Sequence, residues 1–184
     1  MMATTHAFAG LLLIVPVAYH VPEFAVPLAA GAMAGGIFPD LDVAFEHRRT
    51  LHFPVLYGVL AVPALALALA WTTPVTAGLA AFGAAAWLHA ASDVLGGGPE
   101  LDPWTNPRDE GVYDHVRGRW LRARRIIRYD GAPEDLALGG ILAIPALLVF
   151  DGTIHVLIAA MLVVSIAYAF VRRQLPDLVP ESMR

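Results

Sequence analysis

The sequence predicts an all-α fold: an integral membrane helical bundle of about six segments, forming one domain over residues 1–184. Three observations support this prediction. Hydrophobic residues make up 58% of the chain, charged residues only 15%, and the mean hydropathy is +0.62. These values fit a membrane domain better than a soluble one. The arginines, moreover, lie only in every second connection between the apolar segments.

The apolar segments differ in length. A membrane-spanning helix needs about 20 apolar residues, so the third, fourth and sixth segments are long enough to span. The first, second and fifth are short and can be tilted or re-entrant. In chain order we place the six segments at Ala7–Tyr19, Glu23–Phe38, Phe53–Trp71, Pro74–Ser92, Leu136–Phe150 and Ile154–Val171.

The basic side chains are sorted to one side of this bundle. All 12 are arginines, and alternating segments place every one of them, Arg184 included, on the side of the two termini, the stretch Pro39–His52 and a loop over residues 94–135. The positive-inside rule assigns that side to the cytoplasm. We therefore expect a multi-pass protein of the cell (inner, cytoplasmic) membrane with both termini cytoplasmic. Buried helices of a soluble protein are the alternative, and they give no reason for such sorting.

Seven ionisable residues fall at the cytoplasmic ends of the first four segments, where burial is costly and a function is expected. His89 and Asp93 are one helical turn apart and can chelate one ion. Pro39 ends the second segment, so the acidic residues after it lie in irregular chain and can turn toward a common point. The candidate metal ligands are His6, Asp40, Asp42, His47, His52, His89 and Asp93.

The composition limits the metal. There is no cysteine, so imidazole and carboxylate groups must hold the ion, which suits zinc most, with manganese or magnesium as alternatives. Each motif alone has an ordinary explanation, such as an acidic turn or an interfacial histidine. The motifs meet only in a compact bundle, and Gly31 and Gly35 favour such close helix packing.

Taken in order, these motifs resemble a known family, the integral-membrane metal-dependent hydrolases, also described as LexA-binding, inner-membrane-associated hydrolases. The resemblance covers about the first hundred residues and implies a metal-dependent hydrolase. More distantly, the pattern is similar to the helical zinc-dependent phospholipase C and P1 nuclease type. Residues 47–53 depart from the family pattern. The family has His-Arg-Gly-x-Thr-His-Ser, and this chain has His47-Arg48-Arg49-Thr50-Leu51-His52-Phe53. The other matching motifs are Thr5-His6, Phe38-Pro39-Asp40-Leu41-Asp42, and His89 with Asp93.

We therefore expect a membrane-bound hydrolase that cleaves a phosphate ester, with a lipid head group as one candidate, by means of a water molecule activated by the metal. Apart from that water the catalytic groups are unknown, and Glu46 and Glu100 are the candidate bases. Two alternatives remain open: a non-catalytic membrane scaffold with a structural metal site, and a divalent-metal transporter. The clustering of the candidate ligands at one end argues against transport.

The stretch Gly111–Asp130 mixes arginines with aromatic and aliphatic residues, which suits contact with an anionic lipid surface or a bound anion. An ordinary positive-inside anchor is the alternative. Membrane lipids are the expected partners, nucleic acid is disfavoured by the net charge of −4, and the oligomeric state is not indicated. The candidate contacts are Arg117, Arg119, Arg122, Arg124, Arg125 and Arg128.

Overall fold

The structure, a computed structural model, describes residues 1–178, and most of them are helical. Six helices of 13 to 20 residues coincide with the six apolar segments of the sequence. A four-residue helix, α7 (Leu175–Leu178), follows them. The six are α1 (Ala3–His20), α2 (Ala25–Ile37), α3 (Leu56–Ala70), α4 (Pro74–Ser92), α5 (Pro133–Val149) and α6 (Gly152–Val171).

Four helical stretches are long and apolar enough to cross a membrane, and α3 is a shorter apolar helix. The outer faces of the helices carry large apolar side chains, among them Leu69, Leu148 and Phe170, which are 76%, 81% and 78% exposed. Surfaces of this kind indicate an apolar environment. The four stretches are Ala3–His20, Pro22–Ala44, Pro74–Leu95 and Gly152–Leu178.

Helix α2 packs against α1 and α4. The contact with α4 is made by backbone, because a Cβ atom on Gly31 or Gly35 would lie 2.1 or 2.2 Å from a carbonyl oxygen of α4. On the side facing α1, a Cβ atom on Gly36 would lie 2.6 Å from Ala7 Cα. The close packing predicted from Gly31 and Gly35 is confirmed, and it brings the ends of three helices together.

The described residues are mostly helical, as predicted, and the long connection between α4 and α5 adds a small β-hairpin that the all-α prediction did not include. Strand β1 (Glu110–Asp114) pairs antiparallel with β2 (Arg119–Arg122). Gly118, with φ of +63°, lies in the turn between them. The Tyr113 amide donates to the Arg48 carbonyl at 3.0 Å, so the hairpin is held against the loop that precedes α3.

The beginning of α5 is fixed to the beginning of α1 by one buried carboxylate. Asp135 accepts hydrogen bonds from the Met2 amide at 2.7 Å, the Thr5 hydroxyl at 2.8 Å and the Gly131 amide at 2.9 Å. Ser165 on α6 donates to the Thr4 hydroxyl at 2.7 Å. The start of α1 is therefore fixed from two sides at the end of the bundle that holds the ionisable cluster.

Candidate metal centre

Four of the seven predicted ligands form one compact cluster. Asp40, His52, His89 and Asp93 each offer one ligand atom, and these atoms all lie within 4.8 Å of one another. Asp40 follows α2, His52 precedes α3, His89 lies in the last turn of α4, and Asp93 comes directly after it. Asp40 has a side chain 18% exposed, whereas the other three side chains are at most 1% exposed. One side of the cluster is therefore accessible.

Four of the six distances between the ligand atoms are close to those around a tetrahedral ion, and the other two are no longer than 4.8 Å. Asp93 Oδ2 lies 3.1 Å from His52 Nε2 and 3.5 Å from His89 Nε2. Asp40 Oδ1 lies 3.7 Å and 3.3 Å from the same two nitrogens. Ligands placed about 2.0–2.1 Å from a tetrahedral zinc ion are about 3.3–3.4 Å apart. The four measured distances bracket that value.

Hydrogen bonds on the far side of each imidazole determine which nitrogen faces the cluster. His89 Nδ1 donates to the Gly36 carbonyl at 2.6 Å, and its buried Nε2 has no hydrogen-bond partner. His52 Nδ1 donates to Asp42 Oδ2 at 2.9 Å. If both rings are neutral, both Nε2 atoms therefore present lone pairs to the carboxylate oxygens, and either a proton or a metal ion between nitrogen and oxygen would remove the repulsion. Metal-binding histidines are held by the same kind of bond on their other nitrogen.

The pKa of His52 also indicates that a positive charge is favoured between this ring and Asp93. Burial alone would lower the pKa of His52, but hydrogen bonds to Asp42 and Asp93 outweigh burial and raise its pKa above the ordinary value. Without a metal ion, a proton on Nε2 then links His52 to Asp93. A divalent cation held by this cluster would take the place of that proton and release it.

Asp42 supports the cluster from behind. Its Oδ1 accepts from His47 Nδ1 at 2.8 Å and from the Arg48 amide at 3.3 Å. Its Oδ2 accepts from the Leu51 amide at 3.1 Å and from His52. Both oxygens are thus occupied in folding the loop and orienting His52, and Asp42 and His47 lie outside the group of four.

His6 lies beside the cluster. Its ring stacks on that of His89 with a centroid distance of 3.7 Å, and its Nε2 is 2.9 Å from Asp93 Oδ1. Its Nδ1 lies 3.3 Å from the Ser92 hydroxyl. With Nε2 as donor and Nδ1 as acceptor, both ring nitrogens of His6 have partners. His6 therefore positions His89 and Asp93 without needing a bond to the ion.

A cavity of about 380 Å³ borders the cluster at Asp40. Both candidate bases pair with an arginine, Glu46 with Arg49 at 2.7 Å and Glu100 with Arg125 at 3.0 Å. Glu100 lines this cavity, whereas Glu46 does not. Glu100 is therefore the better placed of the two to accept a proton.

The six arginines proposed to contact an anion are not in the lining of this cavity. Three of them, Arg122, Arg124 and Arg125, border a separate groove along the hairpin. Four of the six pair with carboxylates, which reduces their capacity to hold an external anion. These pairs are Arg117 with Asp114 at 2.7 Å, Arg122 with Asp109 at 3.6 Å, Arg125 with Glu100 at 3.0 Å and Arg128 with Glu134 at 2.8 Å.

Arg48 is the site residue that the sequence analysis missed. It is 4% exposed, lines the cavity, and has a backbone φ of +62°, which is rare for a residue with a side chain. Its Nε lies 3.5 Å from Asp93 Oδ2 and has no hydrogen-bond partner, while Nη1 donates to the Gly97 carbonyl. The sequence did contain one indication of this role, because Arg48 follows His47 within the stretch Pro39–His52 that supplies candidate ligands.

Comparisons of the chain with protein-family models, with curated proteins and with solved structures give no match. The function must therefore be inferred from the residues of this centre and their geometry.

Proposed function

We propose that this chain is a multi-pass membrane protein that hydrolyses a phosphate ester with a zinc ion held by Asp40, His52, His89 and Asp93, and that it belongs to the membrane hydrolase family that its motifs resemble. The observation that carries the proposal is the meeting of two imidazole Nε2 atoms and two carboxylates beside a cavity. Two nitrogen ligands favour zinc over magnesium, which prefers oxygen.

A divalent ion in this centre would lower the pKa of a water molecule toward neutrality and polarise a phosphate oxygen. The chain supplies the remaining functions. Asp42 and the Gly36 carbonyl hold the two imidazoles in the orientation that the ion needs. Glu100 lines the same cavity and can accept a proton, and Arg48 adds a positive charge at the cavity wall.

A structural metal site in a non-catalytic scaffold is the second candidate function. Four protein ligands in a tetrahedral arrangement are typical of structural zinc, whereas catalytic zinc usually keeps one position open. Asp40 favours the catalytic function, because it is partly exposed and borders the cavity. A water molecule or substrate therefore has access to the cluster on this side.

The hydrolase proposal is tested by turnover. Zinc-loaded protein in detergent should hydrolyse members of a panel of phosphomonoesters and phosphodiesters, lipids included. Asp93→Asn should lower kcat/KM by at least about 100-fold, because the metal contributes several kcal/mol and each 1.4 kcal/mol corresponds to about tenfold in rate. The matched control is Asp109→Asn, since Asp109 is exposed and does not line the cavity; it should leave kcat/KM unchanged.

Two outcomes would count against the hydrolase. Metal-loaded protein that is inactive across the panel would favour the scaffold. Wild-type activity in Asp93→Asn would show that any hydrolysis takes place at a site other than this cluster. Circular dichroism spectra of Asp93→Asn and Asp109→Asn that match the wild-type spectrum would establish that both variants are folded.

We further propose that all six helices cross the membrane and that the end holding the metal centre faces the cytoplasm. Every arginine within residues 1–178 lies in a connection at that end or just after α6, as the positive-inside rule requires. Arg184, which the sequence analysis places on the same side, lies outside the described residues.

Single cysteines test this topology, because the chain has none of its own. Val116 in the hairpin turn and Thr153 at the start of α6 are both exposed. In intact cells a membrane-impermeant maleimide should label Thr153→Cys, and it should label Val116→Cys only after permeabilisation. The reverse pattern would invert the orientation, and labelling of both in intact cells would contradict six crossings.

A further inference from the structure

We infer that the cavity beside the metal centre binds the phosphate head group of a lipid that enters sideways from the bilayer, with Arg48 as the contact for the phosphate. This inference rests on the proposed hydrolase function and names its substrate class. It follows from the two faces of one short segment, the lining of the cavity and the charge balance around Arg48.

The segment that carries Asp40 and Asp42 has one polar and one apolar face. It forms a 3₁₀ turn over Phe38–Ala44 at the end of α2. Asp42 is fully buried, whereas Leu41, Val43 and Phe45 are 55%, 74% and 74% exposed. These large apolar side chains lie in the sequence between Asp40 and His52 and are exposed. They place the edge of the candidate metal centre at a surface suited to lipid.

The lining of the cavity is charged in one part and apolar in another. Its charged wall includes Asp40, Arg48 and Glu100, and its apolar rim includes Val43 and Val164. Val164 also belongs to the outer apolar surface of α6, since it is 59% exposed. The cavity therefore opens at the face of the protein that contacts lipid chains. A substrate with both an anionic head and an apolar tail matches both parts.

Charge favours a phosphate at Arg48. Asp93 already pairs with the Met1 ammonium at 3.3 Å, and a divalent cation would balance the remaining charge of Asp40 and Asp93, so the Arg48 guanidinium beside Asp93 would be left without a full counter-charge. The other arginine in the lining, Arg172, is already paired with Asp130 at 2.9 Å. The Nε of Arg48 is directed toward Asp93 Oδ2 at 3.5 Å, Arg48 lines the cavity, and a guanidinium is well suited to a phosphate oxygen.

The size of the cavity supports a head group inside and chains outside. Its volume of about 380 Å³ lies near the lower end of small-molecule sites, about 300–1,000 Å³. A phosphorylated glycerol fits such a volume, and two acyl chains do not. The chains would therefore lie along the exposed surface of α6, beside Val164.

Binding of a hydrolysis-resistant ligand tests the inference without relying on turnover. The probe is the phosphonate analogue of dioctanoyl phosphatidic acid, titrated calorimetrically into zinc-loaded, full-length protein in detergent. Methylphosphonate represents the head group alone and dioctanoylglycerol the chains alone. We expect the phosphonate lipid to bind at least about tenfold more tightly than either part, since each part meets only one wall of the cavity.

Neighbouring residues provide matched variants. Val164→Trp should fill the rim and weaken phosphonate-lipid binding at least about tenfold, whereas Val163→Trp should not, because Val163 is 66% exposed but does not line the cavity. Arg48→Gln should weaken binding by a similar factor, and Arg49→Gln should not, since Arg49 is outside the lining. The valine pair keeps the test decisive if Arg48→Gln does not fold.

Failure of this inference is distinguishable from failure of the hydrolase proposal. Equal affinities for the two tryptophan variants, or methylphosphonate binding as tightly as the phosphonate lipid, would overturn the lipid site even if soluble phosphate esters are hydrolysed. Selective lipid binding that responds to the variants as expected, in a protein without turnover, would support the lipid site and reject hydrolysis.

Discussion

Purified His89→Ala protein should lose the metal ion that the wild-type protein retains at about one ion per chain. His89 supplies a buried nitrogen with no partner other than the proposed ion, so alanine leaves three ligands and two poorly balanced carboxylates. The affinity should fall by more than the 10- to 100-fold that is typical for loss of an orienting group. Elemental analysis of detergent-purified protein and competition with a zinc-binding dye measure the change.

Two further variants sharpen this result. His20→Ala, at the opposite end of α1 on an exposed position, should keep the wild-type metal content. Asp42→Asn should weaken binding by an intermediate factor of about 10- to 100-fold, because the amide nitrogen of asparagine cannot accept the bonds that Asp42 now receives. Wild-type metal content in His89→Ala would show that the four-residue cluster does not hold the ion.

Gly35→Ala should destabilise the bundle and weaken metal binding together. The added Cβ would lie 2.2 Å from the Phe82 carbonyl oxygen, and backbone cannot move aside as a flexible side chain does. Overpacking of this kind costs about 1–3 kcal/mol. A cost of about 2 kcal/mol corresponds to a thermal midpoint about 4–8 °C lower. The added methyl group should also push α2 away from α4. Asp40 would then move away from His89, which weakens metal binding.

Gly140→Ala is the matched control for this change. Gly140 lies inside α5, and its added Cβ would have no heavy atom within 4 Å. Alanine is the better helix former by about 0.5–1 kcal/mol, so the thermal midpoint should stay or rise. Circular dichroism melting in detergent compares both variants. A Gly35→Ala protein as stable as the Gly140→Ala protein would contradict the close packing of α2 on α4.

The sequence predicted the helices because the apolar segments are long and the breaks between them contain proline, glycine and charge. It did not predict the hairpin over residues 110–122, since its strands are only five and four residues long and charged residues interrupt their alternation. The hairpin depends on tertiary contacts, such as the bond from Tyr113 to the Arg48 carbonyl, and these have no local sequence signal.

For the candidate site, residue types and helical spacing were sufficient to find the cluster, because His89 and Asp93 are one turn apart and the other motifs fall at the same end of the bundle. They were not sufficient to separate ligands from supporting residues. That distinction depends on ring orientation, which the Gly36 carbonyl sets for His89 and Asp42 sets for His52. Arg48 was missed because its burial and its approach to Asp93 depend on tertiary packing.

The four residues of the metal centre all lie between positions 40 and 93, and this has a consequence for biosynthesis. All of these residues, and His6 with them, leave the ribosome before α5 and α6 have been made. The cavity, by contrast, needs Val164 and Arg172 from the last long helix and the turn after it. On the proposed function, metal capture would therefore precede completion of the cavity, and a nascent chain would acquire its ion before the proposed lipid site exists.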